Sequence, residues 1–301
     1  MTETASPEEK SPDRESTIRQ RLQTTMHAFT RSERTLALLL NGESPTLGLT
    51  SIHEFAARSG VSAPTIARFA VKLGFGGYAE FQRAWLAELE SQLTTPLTLM
   101  AGSRPVSDKS FGGALAECVK RAIDALDTTH VRECIRWLAD ENRRIYLRGG
   151  RYSQVVARHL YNHLQPVRPD VYMLGEDVRR DLDAAASFRK RDIVIVFDFR
   201  RYQNDTIALA AQAAKAGSTV VLFTDRWLSP ASNHARVVII SDVAVPSPND
   251  SLVPSLAQAE QLATEVMIEM GERATARMNL LENLRSDASG AQSVISSHPK
   301  P

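Results

Sequence analysis

Residues 51–81 read SIHEFAARSGVSAPTIARFAVKLGFGGYAEF. Ile52, Phe55 and Ala56 fall at i, i+3 and i+4, one face of a short helix. Ser59-Gly60-Val61 interrupts it, and Gly60 can take the positive φ that a tight inter-helix turn needs. Ser62 is placed as an N-cap, its hydroxyl set to accept from an orphan amide, and Pro64 falls in the first turn, where a missing N–H costs little. Ile66, Phe69, Ala70 and Leu73 then form the inner face of a second helix that Gly74 stops. Thr65, Arg68 and Lys72 share another face. Two short helices, a glycine turn and a polar, basic second helix predict a helix-turn-helix, with Thr65, Arg68 and Lys72 suited to a major groove.

Helical hairpins with a glycine turn also occur as plain packing units, so spacing alone leaves both readings open. The residues that follow separate them. SAPTIARFAVKLGFGGYAEFQ, from Ser62, resembles the N-terminal domain of the RpiR family of bacterial transcriptional regulators. The resemblance is carried by Ser62, Thr65, Arg68, Phe69, Lys72, Leu73, Gly74, Phe75, Gly77 and Tyr78. It implies that this segment binds operator double-stranded DNA. Thr65, Arg68 and Lys72 would meet bases or phosphates, Ser62 and Pro64 would stand at the helix entry, and the Gly76-Gly77-Tyr78 loop would approach phosphate.

The chain has 301 residues, a length that suggests two domains. Its formal charge of +1 excludes a wholesale nucleic-acid coat but not a reader whose basic groups sit on one small surface. No apolar run reaches the roughly 18 residues that would cross a bilayer. Met1–Ser16 is polar with no apolar core, unlike a secretory signal, so a cytoplasmic protein with no membrane partner is expected. Cys118 and Cys134 lack metal-ligand spacing and are expected as buried thiols.

Outward from the central stretch, 1–13 is expected as a disordered tail and 14–93 as the all-α DNA-binding domain. That domain opens with a helix from Ile18 to Phe29 and a second capped by Ser32, and closes with a helix from Tyr78 to Leu93. Thr94–Lys109, with two prolines and no sustained period, reads as a linker. Ser110–Leu126 and Thr129–Ala139 read as helices. From Arg144 the pattern changes. RRIYLRGG, VYML (171–174), DIVIVFDF (192–199), STVVLFTD (218–225) and ARVVIIS (235–241) are β-rich runs, interleaved with helical patterns at 152–164, 205–216 and 255–270. That alternation predicts a doubly wound α/β domain with a parallel sheet over 110–285, whose ligands bind beyond the C-terminal strand ends. The remainder, 286–301, reads as a polar, disordered tail. The overall class is α/β, with an N-terminal all-α helix-turn-helix domain.

Three strand ends are chemically informative. The first holds Gly149, Gly150, Arg151 and Ser153, where glycines let backbone approach a ligand and a helix N-terminus favours an anion. It is not the Gly-x-Gly-x-x-Gly of a dinucleotide fold, and no cofactor is expected. The second holds Asp198, Arg200 and Arg201, and the third Thr224 and Asp225. Together the turn GGRYS and the segment FTDRWLSPASNHA resemble the sugar isomerase (SIS) domain that follows the helix-turn-helix in RpiR-type regulators. The resemblance covers about 14–275 and implies a phosphosugar-sensing domain that forms a homodimer or homotetramer. The middle motif departs from it. SIS domains carry Ser-x-Ser-Gly-x-Thr there, and this chain has Asp198-Phe199-Arg200-Arg201-Tyr202-Gln203. A hydroxyl cradle for phosphate is replaced by a carboxylate and two guanidiniums, which can still grip a small anion. The alternative is an Asp198–Arg200 or Asp198–Arg201 ion pair that braces the loop without touching ligand. For Arg148 and Arg151, one is expected to face solvent.

Catalysis has little support, and no catalytic residue is assigned. Isomerisation needs a positioned base; His234 and Glu260 are the nearest candidates, and nothing in the sequence aims them at a site. His159 and His163 have i, i+4 metal-ligand spacing, but the sequence shows no third ligand, so packing or polar surface is the expected role and no metal is assigned. The residues therefore describe a sequence-specific DNA-binding regulator whose operator affinity responds to a small anionic metabolite. A sugar-phosphate isomerase with a helical appendage is the alternative.

Overall fold

The computed structural model describes residues 17–93, 108–175, 177–247 and 249–296. The expected N-terminal tail, all but the last two residues of the linker, and 297–301 lie outside the described residues. The chain divides into two compact units, 1–102 with 226–233, and 103–225 with 234–301.

The first unit is helical. α1 (Ile18–Thr25) opens on a capping box, Thr17 Oγ1 accepting from Gln20 N and Gln20 Oε1 from Thr17 N. α2 (Arg31–Leu38) begins at Thr30 rather than at the expected Ser32. The box explains the shift. Glu33 must sit three residues past its cap, and its Oε2 accepts from Thr30 N at 2.7 Å. A short π turn and a 3-10 turn (Pro45–Leu49) lead into α3 (Ile52–Ser59). Gly60 then adopts the left-handed conformation (φ 68°) and α4 runs Ala63–Lys72. α5 (Tyr78–Leu93) closes the unit. Ile66, Phe69, Ala70 and Leu73 are buried, with Phe55, Phe81 and Trp85, in one core. Arg21 of α1 donates to Leu73 O at 3.0 Å, capping the C-terminal end of α4.

The second unit starts with α6 (Asp108–Asp124) and α7 (Thr129–Ala139), the latter capped by Thr128. There follow β1 (Ile145–Gly149), α8 (Gln154–Leu164), β2 (Val171–Met173), α9 (Val178–Ala186), β3 (Ile193–Phe197), α10 (Asn204–Lys215), β4 (Thr219–Asp225), β5 (Val237–Ser241) and α11 (Val253–Met270). All strand pairs are parallel, in the order β2-β1-β3-β4-β5. Chain order reverses direction between β1 and β3, so the crossover helices α8 and α10 cover opposite faces. β3 is buried along its whole length, the reason it reads as a continuous apolar run. α12 (Glu272–Ser296) overturns the expected tail from 286 as far as Ser296. Its polar composition suggested disorder, but 286–296 holds no proline and continues the Leu- and Arg-rich turns of 272–285, onto which each further helical hydrogen bond adds without a new nucleation cost. No helix among the described residues is long and apolar enough to cross a membrane.

Candidate functional site

On α4 the inner row packs into the core, which leaves the opposite face to solvent. Along that face Ser62 Oγ meets Thr65 Oγ1 at 2.8 Å, and Arg68 Nη2 donates to Thr65 Oγ1 at 3.4 Å. Ser62 stands at the N-cap, but its hydroxyl makes no bond to a helix amide, because Thr65 Oγ1 engages it instead. Ser62, Pro64 and Arg68 are exposed, and Thr65 is partly so. Arg68 pairs with no carboxylate among the described residues.

Lys72 differs. Its Nζ lies 2.9 Å from Glu33 Oε2 and 2.8 Å from Ala28 O, so α4 is tied to α2 through it. Burial disfavours the Glu33 carboxylate, yet the bonds from Thr30 and Lys72 prevail and hold its pKa below the usual value. Tyr78 is also committed. Its hydroxyl donates to Thr50 O at 2.8 Å, and burial pushes its pKa to about 12. It anchors the 45–50 segment on α5, while Gly77 beside it has open space around its Cα. Val71, which lies off the buried row, is 57% exposed, an unusual position for a valine and one that periodicity did not single out.

In the second unit a cavity of about 590 Å³ opens at the C-terminal ends of β1 and β3, where the strand order reverses. Gly150, Arg151, Ser153, Asp198, Arg200 and Arg201 line it. The remaining expected residues, Gly149, Thr224 and Asp225, are buried and are not part of that lining. Gly149 is needed for space, since a Cβ there would collide with the backbone of Ser153 and Gln154. Asp225 is buried and accepts from Arg200 N and from Tyr202 Oη (2.7 Å). Ser153 is buried too. Its Oγ donates to Phe197 O at 2.6 Å and accepts from Gly150 N at 2.8 Å, so it shapes the β1–α8 turn.

Arg200 has an acidic partner from outside its own loop. Arg200 grips Asp250 through Nε (2.7 Å) and Nη2. Asp198 accepts from Gln203 N at 3.2 Å. Asp250 approaches from a loop some 50 residues downstream, a partner that no local sequence pattern announces. Arg201 takes a left-handed backbone (φ 66°), which costs an arginine about 1 kcal/mol. Its guanidinium stands 5.6 Å from the ring centroid of Tyr152, and that of Arg151 stands 5.5 Å from the same ring. Neither arginine has a carboxylate partner among the described residues. Arg148, by contrast, is bound by Asp181 (2.6 Å) and Asp205 (2.5 Å), so Arg151 is the solvent-facing member of that pair. The cavity thus joins two available cations, a tyrosine ring and the carboxylates of Asp198 and Asp250. Among the described residues, no histidine or glutamate lines it.

A helix-turn-helix with an open polar face, joined in one chain to a parallel α/β domain with a charged cavity at its switch point, defines a DNA-binding regulator with a ligand-sensing domain. Residues 16–92 match the helix-turn-helix domain of the rpiR family, and 138–265 match the SIS domain. The two matches together take in more than half of the chain, which belongs to the RpiR family of helix-turn-helix transcriptional regulators. An uncharacterized HTH-type transcriptional regulator of Haemophilus influenzae is 26% identical over 221 residues, 71% of this chain and 76% of that protein. Another, from Clostridium perfringens, is 23% identical over 265 residues, 84% of this chain and 93% of that one. Among solved structures, the Vibrio vulnificus NanR protein complexed with ManNAc-6P is similar at 16% identity and a TM-score of 0.47, over 94% of this chain and 100% of that one.

Proposed function

We propose that this regulator reads an operator through Thr65, Arg68 and Val71 of α4, and that a small anionic, carbohydrate-derived metabolite in the β1–β3 cavity sets its operator affinity. The observation that carries the proposal is the pair of guanidiniums, Arg151 and Arg201, with no carboxylate partner among the described residues, at a cavity that also presents Asp198 and Asp250. The cations receive the anionic group, a phosphate or carboxylate, and the carboxylates accept from sugar hydroxyls. Arg68 suits bidentate readout of guanine, Thr65 a base edge or phosphate, and Val71 a thymine methyl. A homodimer pairs two reading helices over two half-sites, in the cytoplasm.

The isomerase alternative requires a base poised beside the substrate carbon. Among the described residues, Asp198 and Asp250 are the carboxylates of the cavity, and each already accepts a hydrogen bond or ion pair. The protein therefore acts without turnover in this proposal. Footprinting on the DNA upstream of its own gene, with and without a panel of sugar phosphates and sugar acids, tests it. A protected palindrome modulated by one of these anions is expected. An absence of protection together with measurable aldose–ketose interconversion would establish the enzyme instead.

A further inference from the structure

The two histidines that the sequence left without a third ligand acquire one in the fold. His159 and His163 lie one turn apart on α8, and their rings meet edge to face with centroids 4.7 Å apart. α11 packs against α8 and brings Glu260 to them. His159 Nε2 lies 2.9 Å from Glu260 Oε1, and one ligand atom from each of the three residues falls within 4.8 Å of the others. Two imidazoles and a carboxylate are a donor set for a borderline divalent cation, not for magnesium or calcium, which take oxygen.

We propose that His159, His163 and Glu260 form a zinc-class metal site that clamps α8 to α11. A tetrahedral ion with bonds of about 2.0 Å separates its ligand atoms by about 3.3 Å. The 2.9 Å His159–Glu260 contact therefore needs only a small opening, and His163 a rotation inward. The metal takes the place of the hydrogen bond between Nε2 and Oε1, whose proton leaves to solvent. Solvent reaches all three side chains, so the ion has an entry path and water completes its shell.

The location gives the site a consequence. Ser153 heads α8, and Asp250 and Leu252 run directly into α11, so both clamped helices begin at the effector cavity. His159 lies six residues, about 9 Å of helical rise, from Ser153. A metal there fixes the spacing of the two elements that carry Arg151 and Asp250. This proposal stands on the three side chains alone and does not depend on which ligand the cavity takes.

The test uses the full-length protein, stripped with a chelator and titrated with zinc chloride against a chromophoric competitor. One zinc per chain is expected, with a rise in Tm. His159→Ala, His163→Ala and Glu260→Ala should each weaken zinc by at least tenfold, given that outer-shell changes alone cost about 10- to 100-fold. A Cys118→Ser/Cys134→Ser variant should bind as wild type does. Glu260 is exposed, so its variant keeps the test valid if a histidine variant fails to fold. No stoichiometric zinc, or zinc retained at full affinity by Glu260→Ala and by the histidine double variant, would overturn the site and leave His159–Glu260 as a hydrogen bond between helices.

Discussion

Arg68 and Lys72 are both basic residues on one helix, and their surroundings give them different work. Among the described residues Arg68 bonds only a neighbouring threonine hydroxyl, whereas Lys72 is held by Glu33 and Ala28. Arg68→Ala should weaken operator binding by about 1–3 kcal/mol and leave Tm unchanged, as read by fluorescence anisotropy and thermal melting. Lys72→Ala should do the reverse, lowering Tm more than affinity. The same pair gives a pH signature. The pKa of Glu33 is depressed in the folded protein, so its stabilising contribution is complete above its ordinary value of 4.5 and is lost as pH falls through the lower folded value. The Tm difference between wild type and Glu33→Gln should therefore narrow as pH falls below about 4.5. A constant difference down to pH 3 would remove Lys72–Glu33 as its source.

At the scale of elements, the β1–α8 turn is built by backbone proximity. Gly149 ends β1 where α8 crosses so closely that no side chain fits, and Ser153 Oγ ties the turn to Phe197 O of β3. Gly149→Ala should destabilise by about 1–3 kcal/mol or more, by overpacking against backbone that cannot rotate away. Chemical denaturation followed by circular dichroism measures it, and a silent substitution would mean the turn relaxes. The sequence placed this turn correctly because a glycine pair after a β-rich run has few other uses. It misplaced the start of α2 and the extent of the C-terminal helix, since caps depend on which of several hydroxyls meets the right glutamate, and polar composition alone does not distinguish an exposed helix from a tail.

For the whole molecule, regulation means that effector and operator share a coupling free energy of about 1–3 kcal/mol. Arg151→Ala/Arg201→Ala should remove the effector response and keep operator affinity in the absence of effector, measured by the same anisotropy titration with and without the anion. A response that survives would place the ligand elsewhere. Arg200→Ala is a poorer probe, because it strands Asp250, and its loss of function would mix folding with binding. The dimer reading predicts a footprint of two half-sites centred one helical turn apart or a multiple of it. A single unpaired half-site would argue for a monomeric reader.

Local patterns settled the helix-turn-helix, the parallel sheet and the strand ends that carry the cavity. Periodicity, glycine turns and continuous apolar strands report directly on neighbours within a few residues. Tertiary structure decided the partners. Asp250 pairs with Arg200 from 50 residues downstream, and Glu260 joins His159 and His163. Glu88 of α5 accepts from Ile18 N at 2.6 Å and so caps α1 from 70 residues away, its pKa raised by burial against those bonds. Such pairs form between side chains that the backbone brings together only after the elements pack, so no spacing along the chain encodes them.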